Sequence, residues 1–165
     1  MSLAVKKQHL VHMASSTDVE ELPAFSTALM FKLNRKMSPS EFRGEFHALL
    51  GYGYDRPYDF VHLPWSSLAI VNFTSAKECA QCYASCRRIM AVTRCFLKGA
   101  RPAKKHGLLN NLADCLSKEP TQRRPLIFLE GSEIPWGYVM VLLKSAIGLG
   151  HTTSPQTPRK IFFDL

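Results

Sequence analysis

Residues 56–73 read RPYDFVHLPWSSLAIVNF, and this stretch decides the fold. Its runs of alternating apolar and polar residues predict two strands, near residues 58–63 and 67–73. Only about residues 65–67 connect them, so the two strands form a tight hairpin. Because the whole chain has a formal net charge of +8, the first question is what the exposed face of this hairpin binds.

A strand and a helix precede the hairpin. The segment STALMFKLN alternates, with Leu29, Phe31 and Leu33 on its richer apolar side, which predicts a strand that turns this side to the core. The segment SPSEFRGEFHALL follows, and it opens with the S-x-x-E pattern of a capping box formed by Ser38 and Glu41. Its apolar residues then recur at helical spacing, so a helix is predicted here.

A second helix and a last strand follow the hairpin. TSAKECAQCYASCRRIM repeats the same helix-start pattern and carries Cys79, Cys82 and Cys86 on one stripe, and TRCFLKGARP reads as a strand. The order β-α-β-β-α-β predicts an α+β fold, the split βαβ (ferredoxin-like) sandwich. In this fold both helices cover one face of a four-stranded antiparallel sheet. The opposite face is left uncovered, so something must bind it or hide it.

The rest of the chain is predicted to be an extension of this domain. Leucines at helical spacing predict a third helix over residues 108–116, and the apolar segment 126–147 is expected to fold back on the domain. The predicted divisions are a flexible N-terminal segment (1–24), the domain (25–103), a C-terminal extension packed on it (104–147) and a flexible tail (148–165).

The charge distribution favours an anionic partner. The chain has 21 Lys and Arg against 13 Asp and Glu. No acidic residue lies between Glu78 and Asp114, whereas the same interval contains several basic ones: Arg87, Arg88, Arg94, Lys98, Arg101, Lys104 and Lys105. Nucleic acid is the commonest anionic partner of such a chain, so this clustering indicates a nucleic-acid-binding protein.

Composition argues against a secreted or membrane protein. The start, MSLAVKKQHLVHMASS, lacks the apolar core of a secretory signal. The most apolar run, 134–150, is interrupted by Lys144 and several glycines and is too short to cross a bilayer. Five cysteines, an odd number, indicate reduced thiols. We therefore expect a soluble intracellular protein, nuclear or cytoplasmic, with no membrane partner.

Metal and enzyme chemistry receive little support. Cys79, Cys82, Cys86 and Cys95 include a C-x-x-C half-site of the kind that binds zinc, but the pair lies within a predicted helix, where a cysteine acts as a small core residue. The six histidines are scattered and none lies in a nucleophile, phosphate-loop or paired-carboxylate context. We expect no catalytic residue, metal, cofactor or small-molecule substrate.

At the hairpin the sequence resembles the C-terminal RNA-recognition motif of the Mei-two-like proteins, RNA-binding regulators of meiosis and development. That family has Tyr-Asp-Phe-Phe-Tyr-Leu-Pro in its second strand, and residues 58–64 here read Tyr-Asp-Phe-Val-His-Leu-Pro. Residues 69–86 align with the family's third strand and following helix without a gap, and Ala100-Arg101 matches the end of its fourth strand. The resemblance spans roughly residues 26–135 and implies an RNA-recognition fold that binds single-stranded RNA.

This chain departs from the family where bases usually stack. The third-strand motif normally carries two aromatic rings, whereas Leu68 and Ile70 occupy these positions here. Met30, or Leu29 in a shifted register, stands where many such domains place a stacking ring in the first strand, and Gly99 replaces the usual tyrosine. Each change removes a ring that can contribute ~1–3 kcal/mol per base.

The alternation of side chains defines the predicted RNA-binding face. The residues expected on it or beside it are Met30, Lys32, Phe60, His62, Leu68, Ile70, Asn72, Phe96, Lys98, Arg101 and Lys104. Two rings, an imidazole and several cations can hold a short single strand with modest sequence specificity. The alternative is that the extension covers this apolar face, in which case the domain is a protein-interaction module on an RNA-recognition fold.

Overall fold

Our computed structural model describes residues 21–118 and 123–150, with side chains up to residue 145 except Leu142. Over these ranges the chain is an α+β fold with one six-stranded antiparallel sheet and four helices. The strands are β1 (Ala28–Leu33), β2 (Tyr58–Trp65), β3 (Leu68–Phe73), β4 (Leu97–Pro102), β5 (Leu126–Leu129) and β6 (Ser132–Ile134). The helices are α1 (Pro39–Leu50), α2 (Ala76–Val92), α3 (Leu108–Ser117) and α4 (Trp136–Gly150).

The strands lie in the order β4-β1-β3-β2-β5-β6, and every neighbouring pair is antiparallel. The expectation of four strands is therefore wrong. Residues 126–134 form a second hairpin, and its first strand pairs with β2 through Phe60↔Ile127 and Val61↔Leu126. Most of the predicted extension is thus built into the sheet or packed against it.

Helix α1 begins and ends where its sequence predicts. The Ser38 side chain accepts a hydrogen bond from the Glu41 N–H at 3.2 Å, and the Glu41 carboxylate accepts one from the Ser38 N–H at 2.7 Å. This capping box satisfies two N–H groups that the helix itself cannot pair. At the other end Gly51 adopts the left-handed conformation (φ 67°), which glycine takes with little strain.

The main core lies between the sheet and the two helices α1 and α2. Phe31 of β1 packs against Phe42 and Phe46 of α1, with ring centroids 6.3 and 5.3 Å away. On α2, Cys79, Cys82 and Cys86 are buried in the same core, which confirms their interpretation as core residues. Both helices therefore lie on one face of the sheet.

A second, smaller core lies on the opposite face of the sheet. Phe60 of β2, Leu112 of α3, Ile127 of β5 and Val139 of α4 are buried together. Helices α3 and α4, which we call the C-terminal cover, therefore hide this face at β2 and the neighbouring strand β5. Half-buried Ile70 of β3 packs against the same cluster. The face is thus covered at β2 and part of β3. Neither prediction, a fully open face or a fully covered one, holds for the whole of it.

Some of the predicted divisions cannot be compared with the structure. Residues 1–20 and 151–165, predicted to be flexible, lie outside the described residues. Helix α4 continues to Gly150, past the boundary expected after residue 147. In the described ranges we find no helix with the length and apolarity needed to cross a membrane.

Candidate nucleic-acid interface

The remaining part of the sheet face opposite α1 and α2 is formed by β1, β4 and the end of the hairpin. Met30 pairs with Ile70 on one side and with Arg101 on the other, and Lys32 pairs with Leu68. Directly paired residues of antiparallel strands point to the same face. We call this surface the basic half-face, and Met30, Lys32, Leu68 and Arg101 lie on it.

Cations dominate the basic half-face. Lys32, Lys98 and Arg101 are exposed, and Lys104 is exposed just beyond β4. None of these four belongs to any ion pair formed among the described residues. The Arg101 guanidinium instead lies 4.0 Å from the sulfur of half-buried Met30. Four cations that form no ion pair within the described ranges, beside an apolar floor, suit a ligand that combines anionic groups with flat apolar ones.

The predicted position of Phe96 is wrong. Its ring lies in the main core, 6.0 Å from Phe42 in an edge-to-face contact, and the residue is only 7% exposed. Strand β4 begins one residue later, at Leu97, which is also buried in the main core. The alternation used to place Phe96 on the open face therefore does not extend to this position.

A bulge explains how Lys98 reaches solvent. Lys32 pairs with Gly99, whereas the next residue, Leu33, pairs with Leu97, so Lys98 is the extra residue on β4. Such an insertion locally breaks the alternation of side chains along a strand. Lys98 is exposed as predicted, at the sheet edge formed by β4.

Phe60 and His62 lie on the predicted face but are not accessible. They are only 1% and 4% exposed, because the C-terminal cover lies over them. His62 Nε2 lies 2.9 Å from the Arg123 carbonyl oxygen, to which it can donate, and 3.7 Å from the Cys115 sulfur of α3. Neither residue can receive a base in this arrangement.

Asn72 is also buried and serves as the centre of a polar network. Its side-chain oxygen accepts hydrogen bonds from the Thr27 hydroxyl at 2.9 Å and from the Gly107 N–H at 2.9 Å. Its amide nitrogen donates to the Asp59 carboxylate at 2.8 Å. Burial raises the pKa of Asp59, and the hydrogen bond from Asn72 partly opposes this effect. Asn72 and Asp59 are therefore structural partners in this fold.

The same network fastens the start of α3 to the sheet. His106 Nδ1 accepts from the Thr27 and Ala28 N–H groups, each at 3.2 Å, and the Gly107 N–H also reaches the Thr27 hydroxyl at 2.8 Å. The backbone at Gly107 has φ 85°, a conformation that suits glycine. These bonds fix the direction in which α3 leaves β4 and crosses the sheet.

The exposed aromatic residue Trp65 also belongs to this site. The sequence pattern places Trp65 in the turn, but it is the last residue of β2 and pairs with Leu68, which in turn pairs with Lys32. The indole therefore belongs to the basic half-face, and Trp65 is 63% exposed. The shortness of the turn was the available signal, because it leaves little room for Trp65 outside the paired strands.

The cysteines form no metal site among the residues that the structure describes. No group of three or more His, Cys, Asp or Glu side chains in those ranges could hold an ion. The sulfurs of Cys82 and Cys86 are 3.8 Å apart within α2. Hydrogen bonding to Cys86 and burial raise the pKa of the Cys82 thiol, so at neutral pH this sulfur is protonated and unsuited to ligating metal.

His62 is expected to make the stability of the fold depend on pH. Burial lowers the pKa of His62 below its ordinary value of 6.5. The unfolded chain therefore binds a proton at a pH where the folded chain does not, so the free energy of unfolding falls as the pH drops below about 6.5. Urea unfolding at pH 7.5 and at pH 5 would measure this loss.

The variant His62→Gln isolates this contribution. Glutamine can still donate to the Arg123 carbonyl but does not titrate, so the loss between the two pH values should be smaller in the variant. His47, whose pKa is also lowered by burial, is present in both proteins and cancels in the comparison. An equal loss in both proteins would show that His62 is not responsible.

The face opposite α1 and α2 is thus divided between the C-terminal cover and the basic half-face. Of the predicted residues, the structure brings Met30, Lys32, Leu68 and Arg101 together, with Trp65 added and Lys98 exposed at the adjoining β4 edge. It separates Phe60, His62, Asn72 and Phe96 from them by burial. Comparisons with protein-family models, curated proteins and solved structures each found no match.

Proposed function

We propose that this chain binds single-stranded RNA on the basic half-face, using a fold of the RNA-recognition type. The order β-α-β-β-α-β of the first six elements, with the strand order β4-β1-β3-β2, is consistent with such a fold. The observation that carries the functional proposal is that Lys32 and Arg101, exposed and in no ion pair among the described residues, lie on the same face as the exposed Trp65. Lys98 is exposed at the adjoining sheet edge.

The chemistry of this surface suits a short single strand. The three cations and Lys104 can neutralise phosphates along the direction of β1 and β4. The indole of Trp65 offers a flat surface on which a base can stack, and Met30 and Leu68 supply an apolar floor. Phosphate contacts carry no sequence information, and among the described residues strand pairing places one exposed ring, Trp65, on this face. The expected binding is therefore of modest sequence specificity.

The buried residues of β2 restrict the part of the sheet on which RNA can bind. Phe60 and His62 were expected to stack bases, and both lie under the C-terminal cover. A bound RNA strand would therefore run over β1 and β4, away from β2. The resemblance to the Mei-two-like family suggests the ligand. Met30 and Leu68 stand at two stacking positions of that motif, but the exposed ring, Trp65, does not.

Removal of two central cations tests this proposal. In the variant Lys32→Ala/Arg101→Ala, the affinity for a short fluorescent oligouridine should fall roughly tenfold or more at low salt. The slope of log affinity against log salt concentration should become shallower by about 1.4, because each lost phosphate contact on a single strand contributes about 0.7. Fluorescence anisotropy over a salt series measures both quantities.

A matched control keeps the net charge equal. The variant Lys77→Ala/Arg88→Ala also removes two cations, both from the exposed side of α2 on the other layer of the fold. It should change the slope much less. If both variants lose the same affinity, the attraction is only that of the net charge, and the basic half-face is not a specific site. If neither loses affinity, RNA does not bind here.

A protein-interaction module is the second candidate. It is favoured by the C-terminal cover itself, which exposes Tyr138 and Val141 of α4, each 58% accessible. In that case binding of the protein partner would be unaffected by the loss of Lys32 and Arg101 and would depend little on salt concentration. The substitution Val141→Asp would weaken it instead, and the RNA proposal expects no effect of this substitution on oligouridine binding.

A further inference from the structure

A cavity lies in the helical layer, on the side of the molecule away from the basic half-face. Its volume is about 430 Å³, within the range of about 300–1,000 Å³ typical of small-molecule sites. It lies between the end of α1 and one side of α2. The lining residues are Leu50, Tyr52, Glu78, Gln81, Cys82, Ala84 and Ser85.

The inner wall of the cavity is apolar and fixed. Leu50 and Tyr52 pack against the main core, and the Tyr52 ring meets the rings of Phe46 and His47 at 5.9 and 5.8 Å in edge-to-face contacts. Cys82, only 2% exposed, forms part of the wall on the α2 side. A ligand with an apolar body would therefore find a pre-formed surface here.

The negative charge of Glu78 borders the same cavity. Helix α1 ends at Leu50 and helix α2 begins at Ala76, two residues before Glu78, so the ends of the two helix dipoles beside the cavity have opposite signs. Glu78 also lines the cavity and belongs to none of the four ion pairs that the described residues form. The pKa of Tyr52 is raised, first by burial, then by its neighbours Cys82 and Cys86, and least by the negative charge of Glu78.

We propose that this cavity binds a small organic cation, an ammonium group attached to an apolar body. The ammonium group would lie between the Glu78 carboxylate and the end of α1, and the apolar body against Leu50 and Tyr52. A locally negative cavity in a chain of net charge +8 selects cations over the anions that the rest of the surface attracts. The sequence did not predict a small ligand, and this site is independent of the proposed RNA binding.

Two probes of opposite charge test the proposal on the full chain. Phenethylammonium carries the expected chemistry, and hydrocinnamate has the same apolar ring on a short chain but ends in a carboxylate. In amide NMR titrations, phenethylammonium should shift the resonances of residues 50, 52, 78, 81 and 85 saturably. Hydrocinnamate should leave them unchanged at the same concentrations.

Variants of single acidic residues complete the experiment. Glu78→Gln keeps the shape of the side chain and the Glu78 backbone N–H that bonds to Ser75, and it should weaken phenethylammonium binding about fivefold. Glu130→Gln, on the exposed turn between β5 and β6, removes the same charge elsewhere and should have no effect. Equal binding of the two probes, shifts scattered over the surface, or an unchanged affinity in Glu78→Gln would each overturn the proposal.

Discussion

Replacing Phe60 with alanine is expected to lower the free energy of unfolding by about 3–5 kcal/mol. The ring is 1% exposed and packs with Leu112, Ile127 and Val139, so its loss leaves a cavity between the sheet and the C-terminal cover. Urea unfolding monitored by circular dichroism measures the change. Phe60→Leu retains most of the buried volume and should cost clearly less, on the order of 1 kcal/mol.

Trp65 is expected to show the opposite pattern. Because its side chain is largely exposed, Trp65→Ala should change the free energy of unfolding by only about 0.5 kcal/mol. Its RNA affinity should fall by ~1–3 kcal/mol, the contribution of one stacked base. The opposite outcome would be that Phe60→Leu folds but loses RNA binding while Trp65→Ala keeps it. This outcome would mean that RNA binds at β2 and that the C-terminal cover does not stay in place.

Replacing Asn72 with alanine is expected to cost about 3 kcal/mol, although the residue contributes little apolar surface. The change leaves the Gly107 N–H, the Thr27 hydroxyl and the half-buried Asp59 carboxylate without this partner. A buried polar group that loses its hydrogen bond costs roughly 1–3 kcal/mol. Chemical denaturation measures the loss, and amide hydrogen exchange at Gly107 and along α3 should become faster.

Asn110 provides the matched control for Asn72. Its side chain also makes a hydrogen bond, donating to the His106 carbonyl at 2.8 Å, but it is exposed and water can replace that bond. Asn110→Ala should therefore cost less than about 1 kcal/mol and leave exchange at Gly107 unchanged. If the two variants lose equal stability, the network around Asn72 does not hold α3 on the sheet.

Local sequence signals predicted the first six elements well. The capping box of Ser38 and Glu41, the glycine at position 51 and the alternation of Leu29, Phe31 and Leu33 act over a few residues, so they can be read without a tertiary structure. The assignment of Val61 and Leu63 to one face and Phe60 to the other is confirmed for the same reason.

Features that depend on distant residues were not predictable in this way. The apolar run from Leu126 has the same pattern whether it pairs with β2 or with nothing, so the six-stranded sheet could not be derived. The burial of His62 depends on where α3 and residue 123 lie, and Phe96 was misplaced because β4 begins later than the sequence pattern indicates. The predicted cations are therefore exposed, whereas the predicted rings Phe60 and Phe96 and the imidazole of His62 are buried.

The second hairpin also bears on self-association. Without β5, the eight residues of β2 would form the outer strand of the sheet. This strand is rich in apolar residues, and the backbone groups on its outer side would then be unpaired. Exposed strands of this kind recruit further chains and lead to aggregation. The sheet ends instead at β6, which has three residues and carries the charged Glu133 bonded to Arg43. Residues 126–134 thus replace an aggregation-prone border with a short, charged one.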